Sequence, residues 1–152
     1  MTQQTLAPAE TPALPPGSVL ELDTPAGPRH MQVLFRHPPY PEVVRLIRPV
    51  AGAAASPEAI ARQDSARVAM IEAASHLRQG HLRCLGWAPI PAHVAPDAGF
   101  RVPIRDRNGD PLYFWLWNRD GLHVAPPQDV ADLPVREILP LDRVKAILAA
   151  LD

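Results

Sequence analysis

The chain has 152 residues, a hydrophobic fraction of 47% and a formal net charge of −1, which suit one globular domain and exclude general disorder. A charge so close to neutral gives no long-range attraction to phosphate, so nucleic acid is an unfavoured partner. Cys84 is the only cysteine, which excludes an internal disulfide and a multi-cysteine zinc site and suits a reducing cytoplasm.

The first 16 residues are rich in Thr, Gln, Ala, Pro and Glu and show no periodicity, which predicts a disordered tail. They contain neither a basic segment nor an apolar segment of the kind that forms a signal peptide. No apolar run reaches the roughly 20 residues needed to cross a bilayer. We therefore expect residues 17–152 to form a single cytoplasmic α+β domain with no membrane partner.

Three short strands are predicted next, at 18–23, 30–36 and 43–48. Apolar and polar residues alternate in the first two, and Pro25, Gly27 and Pro28 between them indicate a hairpin loop. Arg45 is expected on the wetter face of the third strand. The pattern predicts an antiparallel meander with one buried face, which could begin a small SH3-like barrel or a curved sheet.

One long helix is predicted at 57–79. Ser56, Pro57 and Glu58 supply a capping hydroxyl, a proline at the first helical position and an early carboxylate. Gly80 is a natural residue for ending a helix. The alanine-rich segment between these two signals is interpreted as continuous helix.

A second β region follows, with strands predicted at 81–87, 100–105, 112–117 and 122–124. Asn108-Gly109 favours a tight hairpin, so the last three of these strands form a meander. The chain then closes with a short helix at 141–151. Its apolar stripe consists of Leu141, Val144, Leu148 and Leu151.

The sequence contains no recognisable catalytic motif, phosphate-binding loop or dinucleotide fingerprint. His76 and His81 flank the predicted helix end and could converge with Cys84 on a metal, but surface or capping roles explain them more simply. Cys84 stands between Leu82 and Leu85 and is interpreted as a buried structural thiol. We predict no catalytic residue, no metal site and no cofactor.

The strand Leu112–Trp117 is the most apolar in the chain, and two interpretations stay open. It is either buried on both faces, or it leaves one face exposed as a binding anchor, a role that Trp and Tyr favour. Arginines around the same hairpin, Arg101 among them, form either a solvated rim or a clamp for an acidic partner. The predicted partner-binding residues are Tyr113, Trp115, Trp117, Arg105, Arg107 and Arg119.

The order of segments between residues 17 and 151 resembles the bacterial immunity protein 26 group of polymorphic toxin systems. The resemblance lies in a glycine followed by two strands (17–22 and 31–36), a Gly-Trp step with prolines (85–91), and a Phe-led strand (100–103). It continues in a hairpin with an aromatic and a glycine (117–121) and a closing leucine helix. The helix predicted at 57–79 departs from that pattern. The resemblance implies a cytoplasmic protein that binds and neutralises a cognate toxin, and the group has no catalytic motif to carry over.

An alternative function is a small nucleic-acid-binding or RNA-cleaving barrel, like the toxins of toxin–antitoxin pairs. Arginines interspersed with aromatic residues suit single strands, although the near-neutral charge weighs against this alternative. The sequence therefore predicts a non-enzymatic protein-binding module, with a toxin as its partner, and does not predict its oligomeric state.

Overall fold

The computed structural model describes residues 14–50, 56–94 and 99–152. Most of the predicted disordered tail, residues 1–13, lies outside the described residues. Leu14 to Pro16 are held to the domain. The Leu14 N–H donates to the Glu42 carboxylate at 3.3 Å, and the Pro16 carbonyl accepts from Trp87 Nε1 at 2.8 Å.

The described residues form eight strands and four short helices. The strands are β1 (Ser18–Thr24), β2 (Gly27–Phe35), β3 (Val43–Ile47), β4 (Ser65–Met70), β5 (Arg83–Trp87), β6 (Phe100–Arg105), β7 (Pro111–Asn118) and β8 (Gly121–His123). The helices are α1 (Pro57–Ala61), α2 (Ala73–Arg78), α3 (Pro127–Val130) and α4 (Leu141–Ala149).

The strands build two antiparallel sheets, so the predicted α+β class with antiparallel meanders is confirmed. The first sheet has the order β4-β3-β2-β1-β5, and the second has the order β6-β7-β8. Within the described ranges neither sheet closes into a barrel, so the SH3-like alternative is wrong. The segment after α3 joins the sheets, because Arg101 N–H donates to the Pro134 carbonyl and Leu139 N–H donates to the Met70 carbonyl, both at 2.8 Å.

The predicted long helix at 57–79 is wrong. The segment contains two short helices, α1 and α2, separated by strand β4. Both end signals were read correctly, since the Ser56 hydroxyl accepts from Ala59 N–H at 3.1 Å and Gly80 has a φ of +83° at the end of α2. They belong to different helices.

Pairing with β3 explains why the middle of this segment is extended. Strand β4 lies antiparallel to β3, with Val44 opposite Ala69 and Arg45 opposite Val68. Ala69 and Met70 are each 1% exposed. A ladder of this kind forms backbone hydrogen bonds and buries apolar side chains together, and such tertiary packing overrides the high helix propensity of alanine.

The core has three parts that follow the faces of the five-stranded sheet. One face packs against α2 and α4, with Val144 and Leu148 of α4 fully buried, as the predicted C-terminal stripe requires. The other face carries α1, around Ile60. A third cluster lies between the two sheets and is centred on Phe35 and Trp117.

Arg45 was expected on a wetter face but is fully buried. Its guanidinium donates to Gln32 Oε1 at 2.9 Å, to the Gln63 carbonyl at 3.0 Å and to the Ala61 carbonyl at the end of α1. Burial lowers the pKa of Arg45 to about 10, although Asp64 partly opposes that shift. The side chain therefore stays charged at neutral pH and ties α1 to the sheet.

Cys84, predicted to be a buried thiol, is exposed. Among the described strands, β5 forms one edge of the five-stranded sheet and has β1 as its only neighbour. An edge strand is covered on fewer sides than a central strand, and this position is not covered.

Among the described helices, the longest has nine residues, and none is long and apolar enough to cross a membrane.

Candidate partner-binding site

The site is built on the hairpin of β6 and β7, whose turn is organised by Asp106. Its carboxylate accepts from Asn108 N–H at 2.8 Å and from Asp110 N–H at 3.0 Å. Gly109 takes a φ of +87°, a conformation that glycine adopts without strain. The hairpin predicted from Asn108-Gly109 is thereby confirmed, and its position next to the aromatic strand is fixed.

One face of β7 begins in the core. Trp117 is 1% exposed, and its ring centroid lies 5.9 Å from that of Phe35, 5.2 Å from that of Tyr40 and 5.9 Å from that of Phe100. The Arg136 guanidinium lies 4.4 Å from the Tyr40 ring centroid and closes this cluster from outside. Trp117, one of the predicted partner-binding residues, is thus a core residue that joins the two sheets.

Exposure rises along the same face toward the hairpin tip. Trp115 is half-buried, and Tyr113 is 49% exposed. Their rings are 6.4 Å apart, and Val102 and Ile104 of β6 lie directly across from them. Neither open interpretation of the strand therefore holds along its whole length, because the strand runs from core to surface.

The opposite face of the hairpin forms an apolar groove with α3, which packs against β7. We call it the α3 groove. Its volume is about 610 Å³, and Leu112 and Val124 on its walls are 62% and 75% exposed. Two of the predicted partner-binding residues, Tyr113 and Trp115, are among the residues that line it, together with Arg101, Leu112, Phe114, Val124, Pro127 and Val130. Exposed apolar side chains gathered around one concavity are typical of binding surfaces.

Arg101 is the charged residue of the groove lining. Its guanidinium carbon lies 4.8 Å from the centre of the Phe114 ring, within the range of a cation–π contact. Its Nη1 makes one long contact of 3.5 Å with the Ala131 carbonyl. Its buried Nε has no hydrogen-bond partner within the described part of the chain. Arg101 therefore retains unused donor capacity beside an apolar surface.

Four arginines were predicted to form a rim or a clamp around this hairpin. Arg101 lines the α3 groove, and the other three lie at opposite ends of the hairpin. Arg105 and Arg107 are at the tip, where Arg105 donates to the Gly109 carbonyl at 2.8 Å. Arg119 is in the turn after β7, whose eight residues span roughly 25 Å, and its carbonyl oxygen lies 3.0 Å from the Nδ1 atom of the His37 ring. Only the tip arginines accompany Tyr113.

Helix α3 was not predicted from the sequence, and neither was the groove that it forms. The helix has four residues, too few to show an apolar stripe. Pro126 at the cap and Pro127 at the first helical position are a start signal that could have revealed it.

Outside the groove, charged side chains form a network on the surface of the five-stranded sheet. Arg83 donates to Asp23 at 2.9 Å and to Glu21 at 3.1 Å, and His30 lies 3.0 Å from Glu21. Burial raises the pKa of Glu21, but hydrogen bonds from Arg83 and His30 outweigh it and leave the pKa below the ordinary value. The hydrogen bond from Arg83 also lowers the pKa of Asp23. All these groups are engaged with one another, which is typical of a stabilising ion-pair network on a sheet surface.

The histidines that flank the end of α2 do meet. The Nδ1 atoms of His76 and His81 are 3.5 Å apart. Burial lowers the pKa of His76, and the neighbouring His81 lowers it further, which favours the neutral form of His76. Cys84 does not join them, since the described residues contain no group of three or more His, Cys, Asp or Glu side chains arranged to hold a metal.

Comparisons with family models, with curated proteins and with solved structures find no match to this chain. The resemblance to immunity proteins therefore stays a prediction. The observations that bear on function are the geometry of the hairpin and that of the α3 groove.

Proposed function

We propose that this protein is a non-enzymatic binding module that recognises a protein partner through the α3 groove and the adjoining hairpin tip. The observation that carries the proposal is the concave apolar surface with Leu112 62% and Val124 75% exposed. A surface leucine that becomes fully buried in a complex contributes about 1.5–3 kcal/mol. Burial of these exposed side chains against a partner would therefore favour binding.

The composition of the site suits a protein ligand. Interfaces concentrate binding energy in aromatic side chains and arginine near the centre of the contact. Phe114 with Arg101 stacked on it, and Tyr113 in the same groove lining, match that composition. The cation favours a partner segment that combines apolar side chains with a carboxylate.

The groove has little means of performing catalysis. Among the described residues that line it there is no histidine, cysteine, aspartate or glutamate. General acid–base and nucleophilic mechanisms depend mainly on those side chains. A lining of this kind supports binding rather than turnover.

The finer form of the proposal is an immunity-type inhibitor of a cognate bacterial toxin, acting in the cytoplasm where the toxin would act. Its support is the ordered resemblance of residues 17–151 to the immunity group, together with a surface suited to a protein ligand. An inhibitor of this type works by covering its partner, so it requires a recognition surface and no reactive residue.

Affinity capture from the native host tests the binding function, with nuclease treatment to remove complexes bridged by nucleic acid. Wild type should recover one dominant protein, and Leu112→Asp should recover at least about tenfold less, because a buried unpaired charge costs well over 1.4 kcal/mol. Ile138→Asp is the matched control, since Ile138 is 49% exposed and lies outside the groove lining.

The captured protein then tests the finer form. Its expression should be toxic, and co-expression of wild type, but not of Leu112→Asp, should restore growth. A captured protein that binds without toxicity would leave the binding module standing and refute the immunity role. Equal recovery by all three chains would refute the groove as the binding site.

A further inference from the structure

The end of α2 is a Schellman motif that holds two histidines together. The His81 N–H donates to the His76 carbonyl at 2.9 Å, and the Gly80 N–H donates to the Leu77 carbonyl at 3.1 Å. Gly80 has a φ of +83°, the left-handed conformation that this motif needs. These two bonds define the motif and fix the backbone on both sides of the turn.

A Schellman motif brings the side chain three places before the cap next to the side chain two places after it, and the pair is usually apolar. Here those positions are His76 and His81. Their ring centroids are 5.7 Å apart with the planes tilted by 40°, and the two Nδ1 atoms face one another at 3.5 Å. The backbone therefore holds the two imidazole rings side by side.

We propose that His76 and His81 chelate a divalent transition-metal ion through their Nδ1 atoms. Two imidazole nitrogens bound to tetrahedral Zn²⁺ at 2.0–2.1 Å are about 3.3–3.4 Å apart, so the observed pair is already at chelating distance. Binding in this way requires the tautomer of each ring that carries its proton on Nε2, so that each Nδ1 presents a lone pair to the ion.

Two imidazoles select the class of metal. Nitrogen ligands favour Zn²⁺, Ni²⁺ and Cu²⁺ over the oxygen-preferring Mg²⁺ and Ca²⁺. His81 is exposed, so water can complete the coordination sphere. Glu72, one helical turn before His76, adds a negative charge that attracts the ion. The site is separate from the α3 groove, whose lining contains neither histidine.

Calorimetric titration of the untagged chain with Zn²⁺ tests the proposal. Wild type should bind one equivalent, and His81→Gln and His76→Gln should each weaken binding at least about tenfold, since changes even beyond the direct ligands have effects of that size. His93→Gln is the control, because His93 is an exposed histidine whose nearest acidic partner, at 3.9 Å, is Asp64. Mg²⁺ should give no saturable heat.

Gly80→Ala separates geometry from ligand identity. It keeps both histidines, and an added Cβ would meet nothing within 4 Å, but it disfavours the left-handed φ that joins them. It should weaken Zn²⁺ binding while circular dichroism shows a folded chain. The proposal is overturned if Zn²⁺ does not saturate wild type, or if His81→Gln binds as tightly as wild type. Loss of affinity in His93→Gln equal to that in His81→Gln would also overturn it.

Discussion

Replacing Trp117 and Tyr113 by alanine should have very different effects on stability, although the two side chains occupy the same face of β7. Trp117 is 1% exposed and packs on three aromatic rings. Removing a buried tryptophan costs about 3–5 kcal/mol, because transfer energy is lost and a cavity is left. We expect Trp117→Ala to fall in that range.

Tyr113 is 49% exposed. A tyrosine side chain of about 200 Å² that is half buried removes about 100 Å² from water, worth about 2.5 kcal/mol. Compaction of the unfolded chain and the Cβ that alanine retains reduce this value to about 1.5 kcal/mol. Water can enter the space, so no cavity cost is added.

Urea denaturation followed by far-UV circular dichroism measures both free energies without depending on tryptophan fluorescence. The slopes of the two transitions should match that of wild type, so that the midpoints report stability alone. A Tyr113→Ala cost equal to that of Trp117→Ala would refute the division of this strand into a core half and a surface half.

Three further predictions concern the rest of the domain. Arg45→Met should lower the free energy of unfolding by about 3 kcal/mol in urea titrations, because at least three acceptors lose a charged donor; an unchanged midpoint would contradict the role given to Arg45. Arg83→Ala should lower stability at pH 7. The difference from wild type should shrink once pH falls below the ordinary carboxyl pKa values of 4.5 and 3.8 and vanish below the lowered pKa values of the folded chain, because Arg83 stabilises only the ionised forms of Glu21 and Asp23. A difference that persists at pH 2 in thermal melts would contradict this account. Ser56→Ala should cost about 1 kcal/mol by removing the cap of α1, and thermal denaturation with no shift in midpoint would show that the cap is dispensable.

The sequence was informative wherever a local signal decides the structure. Alternation located β1 and β2, Asn108-Gly109 located the hairpin turn, and the leucine stripe located α4. Each of these features depends on side chains only a few residues apart. Periodicity and turn chemistry report such short-range preferences directly.

The prediction of one long helix was wrong because pairing with a distant strand makes the middle of the segment extended. The start signal at Ser56 and the stop signal at Gly80 were both correct, but Val68 and Ala69 pair with β3 more than twenty residues earlier. The predicted exposure of Arg45 and the predicted burial of Cys84 were wrong for the same reason, since burial depends on which strands become neighbours. Nothing in a single sequence specifies that neighbourhood.

Only part of the candidate site could be predicted from the sequence. Tyr113 and the tip arginines lie together at the surface, whereas Trp117 is a core residue and Arg119 lies at the far end of the strand. Leu112, Phe114 and Val124 were missed as a group because the groove exists only once α3 packs on β7. The role of all these residues in partner binding stays a prediction.

Site-specific photo-cross-linking tests the binding function most directly. A photoreactive phenylalanine derivative replaces Leu112, Val124 or the control Ile138 in otherwise wild-type chains, which are then irradiated in the native host. We predict one cross-linked protein common to positions 112 and 124 and absent at 138. Cross-linking of that protein at 138 but not in the groove would contradict the account.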